Sequence, residues 1–81
     1  MKHAGPAALD QLEPLLTQVR ELSGLREKSR GIFYRRSSAF LHFHEDPAGL
    51  FADLMGVDRF PVNTMAEQKK LLQAIRKTLV A

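Results

Sequence analysis

The side chains best equipped for chemistry stand close together in the middle of the chain: His42 and His44, two residues apart, then Asp53, with Glu45 beside the pair. Strand side chains alternate between faces, so a His-x-His pair on a strand points both imidazoles the same way. Joined by a carboxylate from a neighbouring strand, they form the beginning of a metal triad that suits nickel, zinc or iron. His42, His44 and Asp53 are therefore the candidate metal ligands, with Glu45 as the substitute carboxylate. The competing reading leaves these residues half-exposed and bonded to neighbours or water, with no cofactor. It is the more economical one, because short His-x-His segments occur freely and no fourth ligand is fixed. Acid–base use of the same His and Asp lacks an accompanying nucleophile or oxyanion loop, so no catalytic residue is assigned.

A second constellation is electrostatic. Twelve Lys and Arg against nine Asp and Glu give a net charge of +3. The excess gathers between positions 26 and 36, where Arg26, Lys28, Arg30, Arg35 and Arg36 surround a single acid, Glu27. Such a segment attracts polyanions, and it also fits a plain solvated surface. Tyr34, Phe40 and Phe51 lie near it in sequence or across a hairpin, which suits an aromatic-plus-basic sheet on which bases stack. The same aromatics serve equally as core or dimer-interface residues. No RNP-like consensus is present, and the five glycines are scattered at turns rather than gathered into a phosphate loop.

The functional expectation is a non-enzymatic binding or interaction domain, with polyanions, nucleic acid among them, as the ligand of the Arg26–Arg36 segment. Two alternatives stand beside it: a small metal-dependent enzyme or sensor built on His42, His44 and Asp53, and a homodimeric module that uses its exposed sheet face or edge.

These residues need a scaffold, and the strongest local signal for one is Asp46-Pro47-Ala48-Gly49. Asp at the first position, Pro presetting φ at the second and Gly at the fourth match a type I turn. The flanking apolar runs then read as the strands of a β-hairpin. With Glu45 opposite Leu50, Phe43 faces Ala52 and Leu41 faces Leu54, giving one apolar face. The other face then carries Phe40, His42, His44, Phe51, Asp53 and Met55, an apolar patch beside histidines that suggests a homodimer contact. If Gly49 instead forms a bulge, the register slips by one residue and the histidines join Ala52 and Leu54. The first register buries the more coherent set, while turn chemistry leans toward the second.

On the N-terminal side, Leu9, Leu12, Leu15, Leu16, Val19 and Leu22 recur at helical spacing, predicting an amphipathic helix from Ala7 to about Leu22. Pro14 either sits in the first turn of a helix beginning near Glu13 or joins an earlier turn at a kink; the unbroken stripe favours near-continuous helix. Ser23-Gly24 stops it. Residues 25–30 read as a charged connection, Gly31–Arg36 as a first strand, and Ser37-Ser38 as its turn. Beyond the hairpin, 56–59 read as a turn and 60–62 as a short extended piece limited by Pro61 to an edge or loop. Thr64-x-x-Glu67 is a capping box, opening a second helix with Met65, Gln68, Leu71, Leu72, Ile75 and Leu79 inward.

The predicted architecture is α+β, in the order αβββα: a three-stranded antiparallel meander with two helices on one face. Residues 1–6 are expected as a disordered leader and 7–81 as a single small domain. The expected core is Leu12, Leu15, Leu16, Val19, Leu22, Leu41, Phe43, Ala52, Leu54, Leu71, Leu72, Ile75 and Leu79. Hydrophobic residues at 44% and charged residues at 26% are ordinary for a globular chain. The absence of cysteine excludes disulfides and thiolate chemistry. No apolar run reaches membrane-spanning length and no secretory signal opens the chain, so a cytoplasmic protein without membrane partners is expected.

The run Gly31-x-Phe33-Tyr34-x-Arg36-x-x-x-Phe40-Leu41-His42-Phe43-His44-x-Asp46-x-x-Gly49-Leu50-Phe51-Ala52-Asp53 resembles that of small bacterial α+β domains of uncharacterised function. Leu22-Ser23-Gly24-Leu25-Arg26-Glu27, followed by aromatic strands, is more remotely similar to the helix-to-strand passage of YjbR-like double-wing domains. Those usually show Leu-Pro-Gly-Val-x-Glu, so Ser23 and Leu25 depart from the pattern. The resemblance covers about half the chain. It implies helices on one face of an antiparallel sheet and nucleic-acid binding, and it transfers no catalytic residue.

Overall fold

The computed structural model describes residues 2–80. The elements are β1 (Lys2–His3), α1 (Pro6–Gln11), α2 (Glu13–Arg20), β2 (Arg26–Ser29), β3 (Ile32–Arg35), β4 (Ser38–Asp46), β5 (Gly49–Leu54), β6 (Asp58–Pro61) and α3 (Met65–Val80). The fold is α+β. Its strands form one antiparallel sheet in the order β2-β3-β4-β5-β6, with β1 paired to β4 beyond the stretch that β3 occupies.

The β4–β5 hairpin takes the first of the two registers, with Leu41 opposite Leu54, Phe43 opposite Ala52 and Glu45 opposite Leu50. The turn is closed by the Asp46 carboxylate, which accepts from the Ala48 N–H (2.7 Å). Gly49 has φ +134°, and a Cβ there would lie 2.7 Å from Asn63 Oδ1. The glycine is required because Asn63 approaches so closely, accepting from the Leu50 N–H (2.8 Å) and donating to the Leu50 carbonyl (3.2 Å).

Phe33, Leu41, Phe43, Ala52 and Leu54 face inward and join the buried residues of all three helices in one cluster. The helices therefore cover one face of the sheet, and no described element covers the other. Of the expected core, Leu22 and Leu79 are only partly buried, whereas Ala4, Ala8, Leu9, Phe33, Phe40 and Val62 are buried in addition. The capping box forms in both directions: the Glu67 N–H donates to Thr64 Oγ1 and Glu67 Oε1 accepts from the Thr64 and Asn63 N–H groups.

Among the described residues the sheet has six strands rather than the three of the predicted meander. Residues 25–30, read as a connection, supply β2, because Arg26 and Glu27 pair with Tyr34 and Phe33 despite their charge. Both sides of such a strand need not be apolar, since β2 lies at the sheet edge. The piece around Phe60 extends to a strand at the opposite edge, β6, where Pro61's missing N–H is tolerated. The expected leader also differs: Lys2 and His3 pair with Glu45 and His44, Ala4 is buried, and the Ala4 and Gly5 N–H groups donate to the Phe43 carbonyl and the Glu45 carboxylate. Met1 lies outside the described residues.

The first helix is two helices. Leu12 sits between them at φ −90°, ψ 0°, and Pro14 falls in the opening turn of α2, where its missing N–H leaves nothing unsatisfied. Two residues placed on the outer sheet face leave it for backbone reasons. Phe33 pairs with Leu41 but Tyr34 with Ala39, so Phe40 is an extra residue in a bulge and turns inward beside Leu41. Met55 adopts φ +57° and Gly56 +71°, with the Val57 N–H bonded to the Leu54 carbonyl, a tight hairpin turn that carries Met55 off the sheet. Among the described residues, no helix is long and apolar enough to cross a membrane.

Phe43 is fully buried and His44 stands on the uncovered face. Phe43→Ala is expected to cost on the order of 3 kcal/mol and His44→Ala about 1 kcal/mol or less, in that order in urea melts.

Candidate functional site

Cross-strand pairing arranges the uncovered face in rows. Ile32, His42, Asp53 and Arg59 stand side by side on β3, β4, β5 and β6, and His3, His44, Phe51 and Pro61 form the next row from β1 to β6. On the far side of β3, Tyr34 is paired with Arg26, and the Lys28 ammonium stands 4.5 Å over the Tyr34 ring. That is a cation–π contact. All three histidines thus meet on one face. The His42 and His44 rings are 6.3 Å apart between centroids, and His3 meets His44 edge-on at 6.4 Å.

The contact that organises this cluster runs diagonally. His42 is the direct cross-strand partner of Asp53, yet it is His44 Nε2 that lies 2.9 Å from Asp53 Oδ2. The other Asp53 oxygen, Oδ1, accepts from Arg59 Nε, also at 2.9 Å. The Arg59 guanidinium, with His44 adding attraction, holds the Asp53 carboxyl below the usual carboxylate range. His42 Nε2 and His44 Nδ1 are buried and have no hydrogen-bond partner among the described residues. Burial, reinforced by repulsion from His44 and His3, pushes the His42 imidazole below its ordinary pKa and outweighs the pull of Asp53.

The expected metal ligands His42, His44 and Asp53 are brought onto one surface, but both Asp53 oxygens are engaged by other side chains. Glu45 points its carboxylate at the Gly5 N–H instead. Among the described residues, no group of three His, Asp or Glu side chains is arranged to hold a metal ion. As a proton relay the pair is equally incomplete. Asp53 occupies His44 Nε2, and the remaining nitrogen, Nδ1, faces no partner that could serve as a nucleophile.

The five cations of the 26–36 segment are divided by the sheet. Arg30 folds to the helix side, bonded to Asp10 (2.8 Å) and Glu13 (2.8 Å). There Arg20 also bridges Glu13 and Glu27, and these arginines lower the carboxyl pKa values of Glu13 and Glu27. Arg35 reaches the last turn of α3, donating to the Thr78 (3.3 Å) and Leu79 (3.5 Å) carbonyls. Arg26, Lys28 and Arg36 take part in none of the ion pairs among the described residues. Arg36 sits in the β3–β4 turn at φ +59°, at the mouth of a shallow cavity of about 540 Å³ shared with Ser37, Ser38 and Met55.

His3 and Arg59 belong to this face and were not among the residues expected there. His3 has no local signal, since its place depends on a pairing some forty residues away; Arg59 required recognising β6. Comparison of the chain with models of known protein families, with curated proteins and with solved structures finds no match.

Because the folded pKa of His42 is depressed, the unfolded chain binds the extra proton first. Stability is then complete above about pH 6.5, where the unfolded imidazole titrates, and falls as pH drops toward the lower folded value. Asp53 acts in the same direction but only at lower pH, below the ordinary carboxylate range. Urea melts of His42→Phe are expected to lose the slope between about pH 7 and pH 5 while staying within about 1 kcal/mol of the parent at neutral pH.

Proposed function

We propose that the protein is a non-enzymatic binding domain whose ligand is a polyanion, single-stranded nucleic acid being the form the uncovered sheet face suits best. The observation that carries this reading is the composition of the β2–β3 side of that face. Arg26 and Lys28 stand there with Tyr34 and Ile32, no acid among them, while the nearby carboxylates Asp10, Glu13 and Glu27 are taken up by Arg20 and Arg30 on the helix side. Phosphates bind the two cations and Arg36 at the adjoining turn. Drawing Lys28 off the Tyr34 ring uncovers an aromatic surface for a base, and half-buried Phe51 offers a second one across the face. No base-specific contact is implied, so the expected affinity is that of non-specific binding, roughly 10⁻⁴ to 10⁻⁶ M at physiological salt. A metal-dependent role for His42, His44 and Asp53 has less support, because the carboxylate would first have to leave Arg59 and His44.

The test is fluorescence anisotropy with a labelled single-stranded oligonucleotide over a range of salt. Replacing Arg26, Lys28 and Arg36 together by Gln should weaken binding and reduce the salt slope by about two, from three phosphate contacts at about 0.7 each. Arg30→Gln should leave the slope unchanged. An unaltered slope in the triple variant would overturn the reading.

A further inference from the structure

A second surface lies at the edge of the sheet, where β6 meets α3. Phe60 is paired with fully buried Ala52 and so belongs to the helix-covered face, yet it is only half-buried. The reason is its place: β6 ends the sheet, and α3 is the last helix beside it. Between them runs a shallow groove of about 690 Å³ with Phe60, Ala74 and Val80 on its floor and Lys70, Arg76 and Lys77 around it. It continues past Phe60 and Lys70 into a smaller hollow that reaches Pro61 and Glu67. Val80 is 85% exposed, an apolar end left open to water.

Among the described residues, the charged side chains lining the groove between β6 and α3 are of one sign. Lys70, Arg76 and Lys77 enter none of the ion pairs among the described residues. Glu67, the one carboxylate of the described residues lining either hollow, is occupied by the Asn63 and Thr64 N–H groups of the capping box. An apolar floor with a basic rim is complementary to an amphipathic segment that is apolar on one side and acidic on the other. From Lys70 to Val80 the helix runs about 15 Å, enough for nearly three turns of a second helix laid alongside.

We infer that the groove between β6 and α3 docks an acidic amphipathic helix from a partner protein, which extends the helix layer over Phe60. Apolar side chains of the partner cover Phe60, Ala74 and Val80, and its carboxylates pair with Lys70, Arg76 and Lys77. Binding rests on helix-in-groove packing, with the rim selecting the sign of the partner's charge. This inference does not depend on anion binding at the sheet face, since none of the residues proposed to bind the anion lines the groove.

The probes are two synthetic peptides of about fourteen residues, roughly four turns, with the same leucine stripe and either glutamate or lysine at every other position. Amide shifts of the full chain, followed by NMR, should move at Phe60, Ala74 and Val80 with the acidic peptide. The basic peptide should bind at least about tenfold more weakly, and raising salt should narrow the gap. Lys70→Glu combined with Lys77→Glu alters only solvent-facing side chains, with folding checked by circular dichroism, and should reverse the preference. Adding the oligonucleotide to the peptide complex should leave the groove shifts in place. Absence of binding, equal binding of both peptides, shifts at Tyr34 and His44 instead, or displacement by the oligonucleotide would each overturn the inference. So would concentration-dependent groove shifts without peptide, which would make a second copy of the chain the occupant.

Discussion

The pairing of Phe43 with Ala52 assigns nearly every other side chain to its side of the sheet. Side chains on a strand alternate with period two, so a slip of one residue would carry His42 and His44 into the core and expel Phe43 and Leu41. Two features hold the register. The Asp46 carboxylate closes the turn on the Ala48 N–H, and the Asn63 side chain grips both backbone groups of Leu50 where β5 begins. Asn63 is itself held by Glu67, the residue that caps α3. The hairpin register and the start of the last helix are thereby one connected piece of hydrogen bonding, and Gly49 is small so that it can form.

With that register in place, the sheet acts as a partition for charge. Three arginines on the helix side find partners: Arg20 and Arg30 tie α1 and α2 to β2 through Asp10, Glu13 and Glu27, and Arg35 donates to carbonyls in the last turn of α3. Arg26 and Lys28, one position removed, emerge on the other face with Tyr34 as their aromatic neighbour. A basic stretch that is continuous along the chain is therefore split into a part that ties helices to the sheet and a part that enters no ion pair among the described residues. The histidine cluster carries its own cost, two buried ring nitrogens without partners among the described residues, and burial lowers the pKa of His42.

Much of this organisation was legible from short-range chemistry. The Asp-Pro-Ala-Gly turn, the Thr64–Glu67 capping box and the apolar stripes of the helices each depend on residues within a turn or two of one another, so reading them in order suffices. The central hairpin and the helix-covered face follow from those signals. The hairpin's register follows from the coherent apolar face that one pairing of the strands buries, against a turn chemistry that leaned toward the other, and with it comes the meeting of His42, His44 and Asp53 on one side. The break before Pro14 was also open to such a reading, since a proline belongs in a first turn; the continuous apolar stripe obscured it, because two helices can share one stripe when the turn between them preserves its direction.

What pattern could not supply depends on contacts between distant segments. Lys2 and His3 become a strand only because β4 outruns β3 and leaves an edge for them. Arg26–Ser29 is too polar to announce a strand, and it is held by pairing with β3 and by Arg20 reaching Glu27 from a helix. The bulge that sends Phe40 inward and the left-handed backbone that removes Met55 from the sheet are responses to local crowding and turn closure that alternation does not reveal. Residue types and spacing thus determined which elements form and which of their faces are apolar. The partners of each charge, the third histidine and the face left uncovered were settled by tertiary packing, since edge pairing and salt-bridge geometry belong to segments far apart along the chain.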